Sequence, residues 1–344
     1  MTEPSRDPAA PSSRRRLPIG ILLGVGILAA GWTAAWSLAR SRLVEEMDAG
    51  LARAAAEGVR IVCPDRSVGG WPVRLEVTCR DPGLEVPARG IGGSVAALRV
   101  IAQIWDPQLI LVEADGPFVA EATGRGRVDA TWRHLSASLR WRIGAVERLS
   151  LSIEGIDATL RQGETVAGRL QSEHLEGHGR ASGETGRDVD AAVSAAGSRL
   201  EVAGRRVGPP RSDVSVDATL RDLLPPDRAD PVRGFADRGG RIEPIHASFA
   251  VGGVRVAGKG ALRLGSDGLL DGMITFAAQG LETIARDAAA LGPETASLLG
   301  GFVLLGKASN DPELPGRRLE LVLDHGRPRL GRVLFPPIPP LFQP

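Results

Sequence analysis

A chain of 344 residues with 42 Lys and Arg against 41 Asp and Glu carries a formal net charge of +1. That balance excludes the basic surface nucleic-acid binding needs. Tyrosine is absent and aromatic residues total 4%, so stacking on bases or sugars is poorly provided for.

Residues 1–16, opened by a stretch rich in Pro, Ser and Ala, are expected to be a disordered cytoplasmic tail. Arg14, Arg15 and Arg16 then precede an uncharged apolar run, residues 17–39, opening at Leu17 and closing at Ala39. About 23 residues at the helical rise cover the ~30 Å hydrocarbon core of a bilayer. Arginines before the span and mixed charge after it favour an N-in, C-out orientation. The expectation is a single-pass anchor in a bacterial inner membrane, with the remaining chain in the periplasm. A cleaved signal peptide is the rival; it would have a shorter apolar core and a small-x-small cleavage site. Here Trp32 and Trp36 crowd the candidate site near Ala34. Ser13-Arg14-Arg15 resembles a twin-arginine export signal, although arginines flanking a span more often set topology.

Leu43, Met47, Leu51 and Ala55 repeat every four residues, which predicts an amphipathic helical stalk over 40–58. The period then becomes two, and residues 59–344 are expected to form a β-rich envelope domain. Cys63 and Cys79 form no Cys-x-x-Cys, so neither a redox motif nor a zinc knuckle is supported. In an oxidising compartment the pair reads as a disulfide.

Val73, Leu75, Val77 and Cys79 alternate with Arg74, Glu76, Thr78 and Arg80. Similar alternation runs through 127–132, 135–143, 149–153, 189–193, 214–220, 254–256 and 319–323. Each segment should bury one face and wet the other. Asp115-Gly116-Pro117, Gly124, Gly155, Gly163, Gly252-Gly253, Asp267-Gly268 and Asp271-Gly272 read as the turns between them. The fold class is therefore mainly β, an extended or curved antiparallel sheet, as a meander, a groove or a sandwich. Prolines and glycines in 221–240 mark a soft internal boundary. Residues 281–300 look helical, with Leu281, Ile284, Ala285, Ala288 and Leu291 on one face before Gly292-Pro293, and a second short helix after that break. The prolines of 336–340 should keep the tail extended.

Three blocks carry a resemblance. Cys63-Pro64-Asp65-Arg66, Gly70-Trp71-Pro72-Val73-Arg74-Leu75-Glu76 and Cys79 form the first. Trp105-Asp106-Pro107 with Asp115-Gly116-Pro117 form the second. Leu323-Asp324-His325-Gly326, Leu330-Gly331 and Ile338-Pro339-Pro340-Leu341 form the third. In this order they resemble an uncharacterised alphaproteobacterial family of anchored proteins, domain of unknown function 2125. The resemblance implies one N-terminal anchor and a β-rich envelope domain, with no activity or catalytic residues to carry over. More distantly, the layout is similar to AsmA-like envelope proteins, whose curved sheets form apolar grooves associated with lipid handling.

Gly70-Trp71-Pro72 is expected to be a tight turn entering a strand at Val73, with Trp71 capping a core; the other reading is a surface where the indole meets lipid or a partner. His174 and His178, near Glu173 and Glu176, could share a metal on a helix. In a strand they lie about 13 Å apart, too far to share an ion, and the flanking Gly177 and Gly179 favour the strand. Gly-x-Ser-x-Gly and a phosphate loop are both absent, and Gly90, Gly92 and Gly93 are expected in a loop without a following helix cap. No motif calls for a metal, a cofactor or catalysis. The functional expectation is lipid binding or shuttling in an apolar groove, with few large aromatics to fill a core. The alternative is a scaffold whose strand edges or Pro-rich tail bind another envelope protein.

Overall fold

The computed structural model describes residues 16–142, 145–184, 186–224, 231–283, 300–331 and 333–342. All but Arg16 of the expected disordered tail lies outside them, and Arg16 opens the first helix.

Helix α1, Arg16–Ala56, is continuous through the expected anchor and stalk. Pro18 falls in its first turn, where a missing N–H costs nothing. At the other end Gly58 adopts φ 84°. Its N–H donates to Ala55 O, and the Val59 N–H to Ala54 O; this pair of bonds is a Schellman cap. Leu43, Met47 and Leu51 are half-buried as the four-residue repeat predicts, but Ala54 takes the place expected for Ala55.

The strands are β1 (Arg60–Val62), β2 (Asp65–Gly69), β3 (Arg74–Arg80), β4 (Gly83–Val86), β5 (Ile91–Gln103), β6 (Asp106–Ala122), β7 (Gly126–Thr131), β8 (His134–Arg142), β9 (Ala145–Gln162), β10 (Thr165–Ser182), β11 (Asp188–Val202), β12 (Arg205–Arg221), β13 (Arg241–Val251), β14 (Val254–Leu264), β15 (Leu270–Gln279), β16 (Lys307–Ser309), β17 (Gly316–Asp324), β18 (Arg327–Leu330) and β19 (Val333–Leu334). They form one antiparallel sheet. Along its length β2 pairs with β3, then β5, β6, β8, β9 and β10 follow. From β10 the order runs through β11, β12, β13, β14, β15, β17, β18 and β19. Broken strands complete it: β1 joins β4, β4 joins β5, and β7 bridges β6 and β9. The result is an open meander. Its first edge lies against α1, where Arg40 Nε donates to Val68 O and Asp48 pairs with Arg66. A covered edge cannot recruit a stray strand.

Three expected turns lie inside strands instead. Gly116-Pro117 is a cis peptide within β6, where pairing jumps from Asp115↔Ala97 to Phe118↔Val95. Gly155, at φ 62°, sits unpaired within β9, and Gly272 pairs with Leu262 and Leu323 in β15. Bulges and turns draw on the same residue types, so sequence alone confuses them. Likewise Gly92 and Gly93 belong to β5, and the strand expected from Val73 begins at Arg74.

The sheet is continuous across 221–240, because Leu220 pairs with Ile242 and Arg221 with Arg241. Helix α2 (Pro231–Asp237) is part of that connection. In the expected helical stretch, Leu281–Thr283 is a 3-10 turn and 284–299 lies outside the described residues. A short helix, α3, covers 300–305.

Burial is uneven. Phe235 and Ala236 of α2 pack on Leu264, with Leu220, Ile242 and Leu270 around them. Phe302 of α3 packs on Ala278 and Leu319. Val251 and Val254 form a third cluster with Phe249 and Val256. Before residue 231, only Cys79, Ala130, Ile153 and Ser172 are fully buried among the described residues. The core thus sits over β12–β18, and the first half of the sheet has no comparable cover.

Candidate functional site

Register builds one uninterrupted apolar row across twelve strands. Val77 pairs with Val100, Val112 follows, then Ala137, Leu151 and Gly177. The row continues through Val193, Val216, Ala247, Gly258, Phe276 and Leu319. At the inter-strand spacing it is about 50 Å long. The next row, on the opposite face, begins Thr78, Arg99, Glu113, Ser136, Ser152, Glu176, Ser194, Ser215 and Ser248. Side chains alternate across a sheet, so each row keeps to its own face.

A line of interruptions crosses the strands at Ala96, Gly116-Pro117, Gly155, Glu173 and Gly197. Beyond it the apolar set changes parity: Leu149, Leu151 and Ile153 of β9 give way to Ile156, Ala158 and Leu160. An extra residue shifts alternation by one, which keeps the apolar residues on one face past the bulge. Ser172 holds this line from the buried side, its hydroxyl lying 2.9 Å from both His174 O and Ala196 O, which share its one proton.

Over β13–β17 the apolar row is covered by α3 and its neighbours, and Leu319 is buried. Over β8–β12 it is open among the described residues: Val193 is 54% exposed and Val216 40%. A Cβ built on Gly177 or Gly179 would meet nothing within 4 Å, so the two glycines leave a gap in this face. Contiguous apolar surface of this extent is uncommon on soluble monomers.

The opposite face is an ion-pair ladder. Arg99 lies between Glu76 at 3.3 Å and Glu113 at 2.9 Å, and Arg127 between Glu121 and Asp129. Hydrogen bonds from Arg169 and then Gln171 hold the Asp157 carboxyl below its usual range. Exposed pairs of this kind contribute little stability, but they keep the face wetted. His174 and His178 lie on β10, flanking Glu176 at 2.7 and 3.7 Å. His325, far from other histidines in sequence, lies 3.2 Å from Asp324 and 3.4 Å from Asp271. Those three could supply ligand atoms within 4.8 Å of one another, yet the group is an exposed acidic cluster and nothing else there points to an ion.

The two tryptophan motifs meet. The Ile104 N–H donates to Val73 O at 3.2 Å, and Arg74 pairs with Gln103. This places the turn of Gly70, Trp71 and Pro72 beside that of Trp105, Asp106 and Pro107. Asp106 accepts two bonds from Arg140, at 2.9 and 3.4 Å, which fixes the second turn to β8. Trp71 does not cap a core: it is 57% exposed. Trp105 is 66% exposed. Cys63 and Cys79 are joined in a disulfide, with Cα atoms 5.6 Å apart, tying the β1–β2 segment to β3.

Sequence reasoning saw each strand's alternation but missed that all the apolar rows fall in register. It also missed Trp141, which pairs with Val146 near the same end of the sheet.

A family model for an uncharacterized protein conserved in bacteria (DUF2125) matches residues 36–339. No curated protein matches the chain.

Proposed function

We propose that this chain, which belongs to the DUF2125 family, is a single-pass envelope protein that holds the acyl chains of lipids along the open apolar face of its sheet. Helix α1 is the anchor, and the sheet stands in the periplasm. Support for a retained helix comes from its contacts with the domain. Trp32 and Trp36, in the second half of the expected span, hydrogen-bond to Pro72 O and Arg74 O. The disulfide favours an oxidising compartment. The arginines before α1 favour the cytoplasmic side for the N-terminus.

The observation that carries the lipid reading is the apolar row from Val77 to Val216, open over its middle and bordered by the covered half. No catalytic step is part of this reading. The test is lipid analysis of the full chain purified from its native membrane. Co-purifying phospholipid that resists detergent exchange is expected. Its absence, with the fold intact by circular dichroism, would overturn the proposal.

A scaffolding role is the second reading. It is favoured by β19, a short last strand with Leu334 76% exposed and no further strand beside it among the described residues. The Pro-rich tail fits it less well, since Ile338 and Leu341 donate to Gly326 O and Gly268 O of the chain itself. Crosslinking from position 334 that captures one envelope protein in stoichiometric yield, in a chain without bound lipid, would favour this reading.

A further inference from the structure

We infer that the end of the sheet carrying Trp71, Trp105 and Trp141 is a membrane-contact rim, seated in the outer interfacial layer of the same bilayer that α1 crosses. The inference rests on the anchor reading and adds a second attachment to it.

The argument begins with levels. Helix α1 and the β1–β2 segment run side by side in opposite directions, so the chain returns to Trp32 and Trp36 at the turn before β3. There the Trp32 indole donates to Pro72 O at 2.7 Å and the Trp36 indole to Arg74 O at 3.0 Å. Counted from Leu17, about 20 helical residues cross a ~30 Å hydrocarbon core and end near Trp36. Arg74 is therefore level with the bilayer's outer boundary and Pro72 about one helical turn, ~6 Å, below it, around the depth at which tryptophan concentrates in membrane proteins.

Register extends that level along the sheet. Arg74 pairs with Gln103, and Arg140 with Leu109, so the turns that follow β2 and β5 and the last residues of β8 lie within a few residues of one another. Each brings a tryptophan: Trp71 at 57%, Trp105 at 66% and Trp141 at 42% exposure. The strip they form is about 20 Å long, four strand spacings. It stops at the next turn, whose sequence is Gly183-Glu184-Thr185-Gly186-Arg187. Indoles left in water beside an anchor lose the burial that large aromatics otherwise gain; at the headgroup boundary the ring is buried and its N–H stays wet. The occupant that fits is phospholipid of the anchoring membrane, held against the rim by the chain itself. The sixth tryptophan, Trp132, is an internal reference: it packs on Phe118 and donates to Ala114 O.

The test uses the full chain in phosphatidylcholine vesicles, with flotation checked first. Hydroxyl-radical oxidation is then read at each tryptophan by mass spectrometry. Trp71 and Trp105 are expected to oxidise no faster than Trp132, despite their exposure in the protein. Oxidation several-fold faster than at Trp132, in chains that float with the vesicles, overturns the rim and leaves the anchor standing. Chains that do not float overturn the anchor reading and the rim with it. As a second measurement, Trp105→Phe is expected to lower the part of the emission quenched by lipid brominated near the head of the acyl chain. An unchanged quenchable part overturns the rim.

Discussion

The indole of Trp32 donates to the carbonyl of Pro72, 40 residues away, at 2.7 Å. That bond and its neighbour from Trp36 to Arg74 fasten the helix to the turn before β3. A hydrogen bond of this kind contributes about 1 kcal/mol net, or roughly a fivefold change in a local opening equilibrium. Trp32→Phe should therefore speed amide exchange over residues 68–74 by about that factor, with little change over β13–β15. Unchanged exchange would mean the helix and the turn only lie near each other.

Gly177 sits in the open apolar row with free space above it. Gly177→Leu should fold normally, because the backbone there is extended and a side chain restricts the unfolded chain, a gain of about 0.4–1 kcal/mol. The added side chain should reduce co-purifying lipid. Val193→Asp should reduce it further, since an ionised carboxylate against acyl chains costs several kcal/mol. Lipid yields equal to wild type in both variants would refute binding at this face.

Cys63 and Cys79 close a loop with a sequence separation of 16. Opening it by Cys63→Ser/Cys79→Ser should cost on the order of 3 kcal/mol in the chain-entropy account. Urea unfolding of the wild type with and without reductant checks this, and reduction should reproduce the double variant.

Asp188 accepts a hydrogen bond from the Asp222 N–H at 2.8 Å and another from Arg221 at 2.9 Å. The backbone bond first, and the guanidinium second, hold its carboxyl below the usual range. A depressed folded-state value means its stabilising contribution is full above the unfolded pKa of about 3.9 and is lost as pH falls through the folded value. Asp188→Asn should lower the thermal midpoint at neutral pH, and the gap from wild type should close in acid.

His325 is shifted the other way. Its hydrogen bond to Asp324, then the charges of Asp271 and Asp324, raise its pKa above 6.5. The contribution of the charged ring is full below the unfolded value and is lost as pH rises through the folded one. Titration of its ring resonances should give a midpoint above 6.5 in the wild type and a lower one in Asp324→Asn.

Much of the architecture could be read from residue alternation. Leu75, Val77 and Cys79 point one way in β3, and Leu149, Leu151 and Ile153 do so in β9, as period two requires. What alternation could not give is how one strand aligns with the next, because register is a relation between segments rather than a property of either. The bulges at Gly116-Pro117 and Gly155 were hidden for a related reason: a glycine that kinks a long strand looks like a glycine that ends a short one. Trp71 was misjudged because burial of a turn residue depends on what the tertiary fold brings above it, and here nothing in the domain does.

From β5 to β15 each strand lies beside the one that precedes it in the chain, except β8, which passes over β7 to pair with β6. A polypeptide that leaves a ribosome or a translocation pore N-terminus first can thus add its hairpins in the order they emerge, each closing a short loop at small entropic cost. The helix that guards the starting edge is finished before the first strand exists, and the segments that cap the far half follow only after the open half is complete. The ladder grows from one end, so the whole chain need never be unfolded at once.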